Sequence, residues 1–355
     1  MISPIHTASA LLGVSSLLGH LANALPTTEA VAHTAAQVCN GRSEYCSRSY
    51  SAVSFVGSHD SAFVGELPQQ NQNIDVTAQL NMGVRFLQAQ THHSLINKDV
   101  LELCHTSCLL EDAGTLQSYL STIKTFLDAN ANEVVTLLLT NGDSVDITDF
   151  GNAFAKSGID RYAFVPASNP LPLGSWPTLG QMISSGKRLV VFLGSLYPTT
   201  SSYSLPSIKR LAKNSRPPWN SVLHQAVPNV AYVALDYGAN TNKVNYILDE
   251  FAYYFETPYD VTDSNFSGCS IDRPSGASPS GRMYIVNHFL DVDIFGVKVP
   301  DRTAAGTTNA ATGKGSIGAQ ASVCKGLYNR APNVVLLDFV DKGNTIKAQD
   351  TLNGL

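Results

Sequence analysis

The sequence predicts an α/β fold in a single domain. Short apolar runs rich in β-branched residues recur along the chain, and they alternate with stretches in which apolar residues return at three- and four-residue spacing. Uninterrupted apolar runs are typical of parallel strands that are covered on both faces. The chain has 355 residues, of which 44% are hydrophobic, so one large core can use nearly all of it.

The predicted elements follow from these patterns. Seven runs are predicted to be strands, namely Ala52–Gly57, Val84–Gln88, Leu101–Cys104, Val134–Leu139, Arg188–Leu193, Met283–Val286 and Val334–Leu337. One apolar stripe at helical spacing predicts a helix packed outside the sheet, through Leu116, Leu120, Ile123 and Leu127. The stretch Thr303–Gly318 is rich in glycine, threonine and alanine and is predicted to be a mobile loop.

The N-terminus carries the pattern of a secretory signal peptide. The apolar stretch Ala10–Ala22 is followed by the small-x-small sequence that ends at Ala24. We therefore predict a leader at residues 1–24 and a secreted product, the alternative being a frayed N-terminal helix. The further boundaries are a disulfide-braced segment at 25–50, the main domain at 51–345 and a C-terminal tail at 346–355.

One stretch differs in composition from its surroundings. Residues Gly194–Leu235 contain four basic residues, no acidic residue and seven serines, with little periodicity. Removing this stretch would join Arg188–Leu193 directly to Asp236–Asn240, giving one strand followed by a turn. We interpret it as an atypical insertion, either a long loop or a translated intron.

The six cysteines predict three disulfides, since an even number in an exported chain is typical of a disulfide framework. Short separations suggest two pairs and leave the third by remainder, although fifteen pairings are formally possible. The pairs are Cys39–Cys46, Cys104–Cys108 and Cys269–Cys324. A zinc site is disfavoured because no second ligand pair has comparable spacing. A glycosylation sequon begins at Asn265.

Titratable side chains follow several of the predicted strands. His59 and Asp60 come after the first, His105 after the third and Asp338 after the last. Histidine titrates near neutrality, so two histidines beside a phosphodiester can remove one proton and return another if carboxylates orient them. The sequence therefore predicts an acid–base site at the carboxyl ends of the strands, where barrels place reactive groups.

These segments resemble the X domain of phosphatidylinositol-specific phospholipases C, especially its secreted fungal-type members, from about Ser51 to Asp341 apart from the insertion. The resemblance implies an irregular TIM-type barrel that cleaves a phosphodiester. It also implies that His59 is the general base, with Asp338 as its partner. His105 would be the general acid, with Asp60 as its partner, and a cyclic inositol phosphate would form first.

The second strand departs from the family pattern. Bacterial members carry an aspartate and a phosphate-binding arginine there and metal-dependent animal members carry calcium-binding carboxylates, whereas this chain has Gln88 and Gln90. We therefore expect a metal-independent enzyme, a slow enzyme or one with another substrate, and no cofactor. Six residues are predicted to bind substrate, although the first also fits a structural role in the barrel: Arg85, Gln88, Gln90, Glu256, Asn287 and His288.

The expected partner is a phospholipid or another phosphodiester, met transiently at a membrane surface. Only 14% of residues are charged and the formal net charge is -5, so a nucleic-acid partner is not expected. A monomer is expected. Two rival functions remain, a weak or inactive barrel that binds phosphoinositide or glycan and a magnesium-dependent barrel of the glycerophosphodiester or sphingomyelinase-D type. A serine hydrolase is disfavoured because no Gly-x-Ser-x-Gly elbow follows a strand.

Overall fold

The computed structural model describes residues 37–195 and 243–355. The predicted leader and all but the first two residues of the predicted insertion lie outside these ranges. The strands in the described ranges are β1 Phe55–Ser58, β2 Phe86–His93, β3 Leu101–Cys104, β4 Asp112–Thr115, β5 Val135–Asn141, β6 Leu189–Ser195, β7 Ile247–Asp249, β8 Tyr254–Glu256, β9 Met283–Asn287, β10 Asp291–Ile294, β11 Val297–Pro300 and β12 Val334–Leu337. The α-helices are α1 Val76–Met82, α2 Leu116–Ala129, α3 Ile147–Ser157, α4 Leu179–Ser184, α5 Glu250–Tyr253, α6 Ala305–Thr308, α7 Ile317–Tyr328 and α8 Thr345–Leu352.

Eight of the strands form one parallel sheet in the order β7-β6-β5-β2-β1-β12-β9-β8. The first of the described strands therefore pairs with the last, from Phe55 opposite Val334 to Ser58 opposite Leu337. The two end strands, β7 and β8, are joined directly by α5 and are not paired with each other. Strand β3 pairs antiparallel with β2, β4 pairs antiparallel with β3, and β10 and β11 form a separate hairpin.

The sheet curls so that its inner face closes around one core. The ring of Tyr254 on the end strand β8 lies 5.0 Å from that of Phe192 on β6 and 6.4 Å from that of Phe86 on β2, measured between centroids. Each of the eight strands contributes to this inner cluster, through Phe55, Phe86, Leu138, Phe192, Leu248, Tyr254, Ile285 and Leu336. The predicted α/β barrel of the irregular TIM type is thus confirmed.

The other face of the strands packs against helices. Strand residues one position away from the inner set, such as Leu87 and Leu137, belong to a second cluster with the buried face of α2. The predicted helical stripe is confirmed, because all four of its residues are fully buried there. This alternation explains why the strands are apolar on both faces.

The predicted C-terminal tail is part of the barrel. Most of residues 346–355 lie in α8, where Gln349 Oε1 accepts a hydrogen bond from the Val56 backbone N–H at 2.9 Å. Asn353 accepts from the Ser54 N–H and donates to the Ser54 carbonyl. The tail prediction was wrong because amide side chains bonded to the strand backbone, more than an apolar stripe, hold this helix to β1.

The predicted mobile loop is also wrong. Stretch 303–318 contains α6 and the first two residues of α7, and several of its residues are buried. Asn309 donates to the carbonyls of Asp338 and Phe339, and a side chain added at Gly318 would lie 2.3 Å from the Ala311 carbonyl oxygen. Small residues there permit close packing against neighbouring backbone.

All seven predicted strands are present, with ends that differ by up to five residues. Two barrel strands were missed, because β7 and β8 have only three residues each and are separated by a four-residue helix. Gly194 and Ser195, assigned to the insertion, continue β6 opposite Thr140 and Asn141. The three predicted disulfides are confirmed.

The disulfides differ in the length of chain that they close. Opening Cys269–Cys324, with a separation of 55 residues, should cost about 4 kcal/mol of folding free energy, and opening Cys39–Cys46, with a separation of 7, about 2 kcal/mol. Urea unfolding of the two double-serine variants measures this difference. An equal or reversed order would contradict the loop-entropy explanation.

Candidate functional site

Three strand ends deliver the predicted histidines and carboxylates. His59 follows β1, and its backbone N–H donates to the Leu337 carbonyl at the end of β12. In each case the chain turns sharply through a non-glycine residue in the left-handed region, at or directly after the predicted functional residue. Such residues cost about 1–3 kcal/mol and are common at functional sites. They are Asp60 at φ +44°, Thr106 at +62° and Phe339 at +49°.

The four residues meet in one cluster. His59 Nδ1 donates to Asp338 Oδ1 at 2.9 Å. On the other side of the ring, His59 Nε2 lies 3.6 Å from Asp60 Oδ2, and the same oxygen lies 3.3 Å from His105 Nε2. Asp60 therefore stands between the two imidazoles, and it is fully buried while the histidine side chains are 17% and 20% exposed.

The two glutamines of β2 hold Asp60 in place. Gln88 Oε1 accepts from the Asp60 N–H at 2.7 Å. Gln90 Nε2 donates to Asp60 Oδ2 at 2.9 Å, and Gln90 Oε1 accepts from the Thr106 N–H at 3.2 Å. An aspartate or glutamate at position 90 would place a second negative charge beside Asp60. The amides therefore suit this site because they donate a proton without adding charge.

Aromatic rings limit how far the imidazoles can move. The Phe289 ring stacks on His59 with centroids 3.8 Å apart and planes inclined by 4°. Phe63 meets His105 edge to face at 5.3 Å. Neither residue was identified from the sequence, because an apolar residue in a loop carries no signal of what it contacts.

A run of five amides, residues 69–73, was also missed. Asn71 donates to Asp338 Oδ1 at 3.0 Å, and Gln72 donates to the carbonyls of His59 and Leu337. Gln69 and Gln70 both donate to Glu111. The run thus links the loops that carry His59, His105 and Asp338. Its composition is visible in the sequence, but its partners are far away along the chain.

The charges in the cluster set its protonation. Burial lowers the pKa of His59, but the negative charges of Asp60 and Asp338 outweigh this effect and raise the pKa to about 9. Burial likewise lowers the pKa of His105, and the hydrogen bond and charge of Asp60 raise it above its usual value. Burial raises the pKa of Asp60, and the two histidines lower it overall. The site therefore favours imidazolium beside carboxylate at neutral pH.

A third carboxyl group lies near His59. Asp291 begins β10, and burial together with the charge of Asp338 raises its pKa to about 7. The positive charge of His59 lowers the pKa of Asp291, and the negative charge of Asp291 raises the pKa of His59. The protonation of each group therefore affects the other.

Arg85 is not brought to this cluster. Its guanidinium donates to Glu133 at 2.7 Å and to the carbonyls of Leu80 and Val84, and it lies over the Phe126 ring. Arg85 precedes β2, three residues before Gln88. We therefore remove it from the substrate-binding set, since its donors are used to fix the start of the strand.

Glu256 and Asn287 form a second buried polar cluster, at the ends of β8 and β9. Glu256 pairs with Arg273, and Asn287 Nδ2 donates to Glu256 Oε2 at 3.3 Å. Burial and the neighbouring Glu256 raise the pKa of Glu250 well above its usual value. Burial raises the pKa of Glu256, but the charge of Arg273 outweighs it and lowers that pKa. The raised pKa of Glu250 favours its protonated form, and the positive charge of Arg273 balances the carboxylate of Glu256.

His288 faces the protein interior. It is fully buried, with Nδ1 bonded to Gln320 Oε1 and Nε2 donating to the Thr308 carbonyl at 2.9 Å. Burial lowers its pKa. Because both ring nitrogens have internal partners, we also remove His288 from the substrate-binding set. Asn265 lies exposed on a loop, in a position open to modification.

Over residues 37–195 and 243–355, one group of three potential metal ligands meets the distance criterion for a shared ion, Glu102 with Cys104 and Cys108. It does not fit a metal, because its two cysteines form a disulfide. No helix in the same ranges has the length and apolar content needed to cross a membrane.

Comparison with known proteins gives consistent matches. The PI-PLC X 1 family model matches residues 45–202 and 197–353. "PI-PLC X domain-containing protein 1" of Arthroderma benhamiae is 48% identical over 345 residues, covering 97% of this chain and 96% of the relative. An "Uncharacterized secreted protein" of the same fungus is 37% identical, covering 96% and 68%. Among solved structures, the phosphatidylinositol-specific phospholipase C of Listeria monocytogenes matches with a TM-score of 0.49 and 15% identity, covering 87% of this chain and 95% of that one.

The proton balance of the cluster gives a testable expectation. Asp338→Asn removes a negative charge from His59, so the pKa of His59 should fall from about 9, and nitrogen-detected NMR titration of the imidazole measures it. The folded-state pKa exceeds that of the unfolded chain. The stability contributed by His59 is therefore complete below about pH 6.5 and disappears as the pH rises through about 9. An unchanged pKa in the variant would contradict the assigned electrostatics, and Asp341→Asn serves as a nearby control.

Proposed function

Because the chain belongs to the PI-PLC X family, we propose that it is a secreted, metal-independent phosphodiesterase that cleaves a phosphoinositide or a related lipid. The family and its α/β barrel are the premise, and the mechanism and substrate are the proposal. The observation that carries it is the pair of imidazoles that share Asp60, each within 3.6 Å of the same carboxylate oxygen. An acid and a base held this close can act on two oxygens of one phosphate.

In this proposal His59 is the general base. Its Nδ1 is held by Asp338, so the proton of the neutral ring stays on Nδ1 and the lone pair lies on Nε2. Nε2 then accepts the proton of a substrate hydroxyl adjacent to the phosphodiester as that hydroxyl attacks phosphorus. Because nucleophile and phosphate belong to one molecule, the first product is a cyclic phosphodiester and no water is consumed in this step.

His105 is the general acid. Its Nε2 faces Asp60, which stabilises the imidazolium, while Nδ1 is buried and has no partner in the described part of the chain. We propose that the imidazolium of His105, whose side chain is 20% exposed, gives its proton to the leaving alcohol oxygen. When this bond breaks, His105 becomes neutral and His59 carries the proton taken from the attacking hydroxyl, so the net charge of the site is unchanged.

The glutamines support metal independence. A hard cation needs clustered carboxylate oxygens, and β2 offers Gln88 and Gln90 where such carboxylates would stand. Both side chains also use amide groups to hold Asp60 and its neighbouring backbone. The negative charge of the phosphoryl oxygens would then be balanced by the imidazolium of His105, which its raised pKa favours.

We propose that Glu256 and Asn287 contact hydroxyl groups of the substrate head group. They lie at the carboxyl ends of β8 and β9, at the same end of the parallel sheet as His59. Carboxylate oxygens and amides are suitable partners for a polyol. Secretion is supported by the leader-like N-terminus, the three disulfides and a relative whose name describes it as secreted.

A non-catalytic barrel that binds phosphoinositide or glycan is the second candidate. The observation in its favour is that Gln88 and Gln90 bring no positive charge to the site. Removing one electrostatic stabiliser of a transition state can cost about 10²–10³ in rate.

The deciding experiment measures turnover of phosphatidylinositol by the mature protein, with phosphorus NMR to detect a cyclic phosphate. His59→Ala and His105→Ala should each lower the rate by about 10²–10⁴-fold, because each removes one proton-transfer group. His288→Ala is the matched histidine control for an internal role. Turnover should survive a chelator.

Each alternative result has a definite meaning. Rates that are unaffected by both alanine variants would refute the mechanism. Binding without turnover would favour the second candidate, and a rate abolished by chelator would favour a metal-dependent reaction.

The Cys104–Cys108 disulfide gives a further expectation. His105 lies inside the short loop that this bond closes, so the bond acts as a positioning element for the proposed acid. Changing both cysteines to serine should lower kcat by up to about 10²-fold with little change in KM, and should shift the NMR titration of His105 more than that of His59. The Cys39→Ser, Cys46→Ser double variant is the control. Equal loss of kcat in both variants would indicate a general effect on stability.

A further inference from the structure

The proposed reaction leaves the two histidines of the site with exchanged protonation states. At the end of the first step His59 carries the proton taken from the attacking hydroxyl, and His105 has given its proton to the leaving alcohol. Before the next substrate can react, His59 must lose a proton and His105 must gain one. Exchange with solvent and hydrolysis of the cyclic product with the two roles reversed are general routes for this return. The need for a route rests on the proposed function.

The structure offers a shorter route through Asp60. Its oxygen Oδ2 lies 3.6 Å from His59 Nε2 and 3.3 Å from His105 Nε2, so one atom faces both rings. On His59 this is the nitrogen that takes the substrate proton, because Nδ1 is held by Asp338. On His105 it is the nitrogen that faces a proton source, because Nδ1 is buried without a partner in the described part of the chain. The two nitrogens that must exchange a proton thus face the same oxygen.

The carboxylate between the rings is closed off from solvent. The Asp60 side chain has no exposed area, whereas the side chains of His59 and His105 are 17% and 20% exposed. The other carboxylate oxygen, Oδ1, is buried and accepts no hydrogen bond from residues 37–195 or 243–355. Gln90 Nε2 is the third donor directed at Oδ2. A proton that leaves either ring toward Asp60 therefore meets this oxygen and not bulk water.

Transfer from His59 needs only a small movement. The 3.6 Å distance to Asp60 Oδ2 is longer than a normal hydrogen bond, so the ring must approach by about 0.6 Å. Phe289 stacks on His59 with the ring planes inclined by 4°. A flat contact of this kind resists tilting of the imidazole but permits sliding within its plane. The required approach is therefore compatible with the packing of the site.

We propose that Asp60 relays a proton from His59 to His105 between turnovers. The N–H bond at His59 Nε2 breaks as an O–H bond forms at Asp60 Oδ2, and this O–H bond breaks as an N–H bond forms at His105 Nε2. His59 becomes neutral, Asp60 is again a carboxylate and His105 becomes an imidazolium. The net charge of the site is unchanged, and no water or other reactant is consumed. Gln90 donates to Oδ2 and so favours the carboxylate form between transfers.

The test measures proton exchange at the two rings by nitrogen-detected NMR of the full protein with isotopically labelled histidine. At the pH between the two titration steps of the pair, the rate of interconversion between protonated and neutral forms is measured for His59 and His105. Buffer concentration is raised about a hundredfold, and internal transfer predicts equal rates at the two rings that change less than about twofold. Rates that rise in proportion to buffer concentration would show that solvent carries the proton and would overturn the proposal.

Two isosteric substitutions separate the relay from the electrostatics of the site. Asp60→Asn removes the group that can carry a proton, so exchange at low buffer should fall at least about tenfold and recover as imidazole buffer is added. Asp338→Asn removes the other carboxylate bonded to His59 and leaves Asp60 in place, so exchange should stay independent of buffer. Each protein is compared at its own titration midpoint. Fast, buffer-independent exchange in Asp60→Asn would overturn the relay, and His92, which pairs with Asp143, is the internal control whose exchange should rise with buffer.

Turnover of monomeric glycerophosphoinositol is measured in parallel over the same buffer range. The steady-state rate of the unmodified protein should not depend on buffer, whereas in Asp60→Asn a first turnover should be followed by a slower steady state that imidazole accelerates. If no substrate is turned over but exchange at the rings is independent of buffer, the relay is supported and the proposed function fails. If turnover occurs but exchange rises in proportion to buffer, the relay is overturned and the proposed function stands.

Discussion

The buried carboxylate of Asp60 is the interaction on which the candidate site depends. A carboxylate removed from water is stable only when charged or hydrogen-bonding partners replace the lost solvent. Here the partners are two imidazoles and the Gln90 amide, all directed at one oxygen, Oδ2. The negative charge of Asp60, which requires these partners, also raises the pKa of both histidines. Position and protonation of the pair therefore have one physical origin.

The barrel makes this arrangement possible by bringing distant strand ends to one place. β1 and β12 are neighbours in the sheet, so His59 and Asp338 meet although 279 residues separate them. Left-handed backbone at the turns and the amides of residues 69–73 then hold the loops. The strain at those turns is tolerated because hydrogen bonds from several elements determine the same conformation.

Charge type alone does not say where a residue acts. Arg85 and His288 have the chemistry of phosphate and substrate ligands, yet one fixes the start of a strand and the other is enclosed with both nitrogens bonded. Gln88 and Gln90 show the reverse. If these glutamines are interpreted as replacements for charged ligands, they suggest that the site binds phosphate weakly. In the fold, however, their side chains hold Asp60 in place.

The sequence alone determined the α/β class, the seven strands with clear apolar runs, the helix α2, the three disulfides and the grouping of His59, Asp60, His105 and Asp338. Periodicity and short-range spacing express these features, because they depend on local burial and chain connectivity. The tertiary structure decided that Asp60 serves both histidines, that amides hold it and that Phe289 covers His59. Those features depend on contacts between residues far apart in the chain, and no local pattern of residues encodes the distance or direction of such contacts.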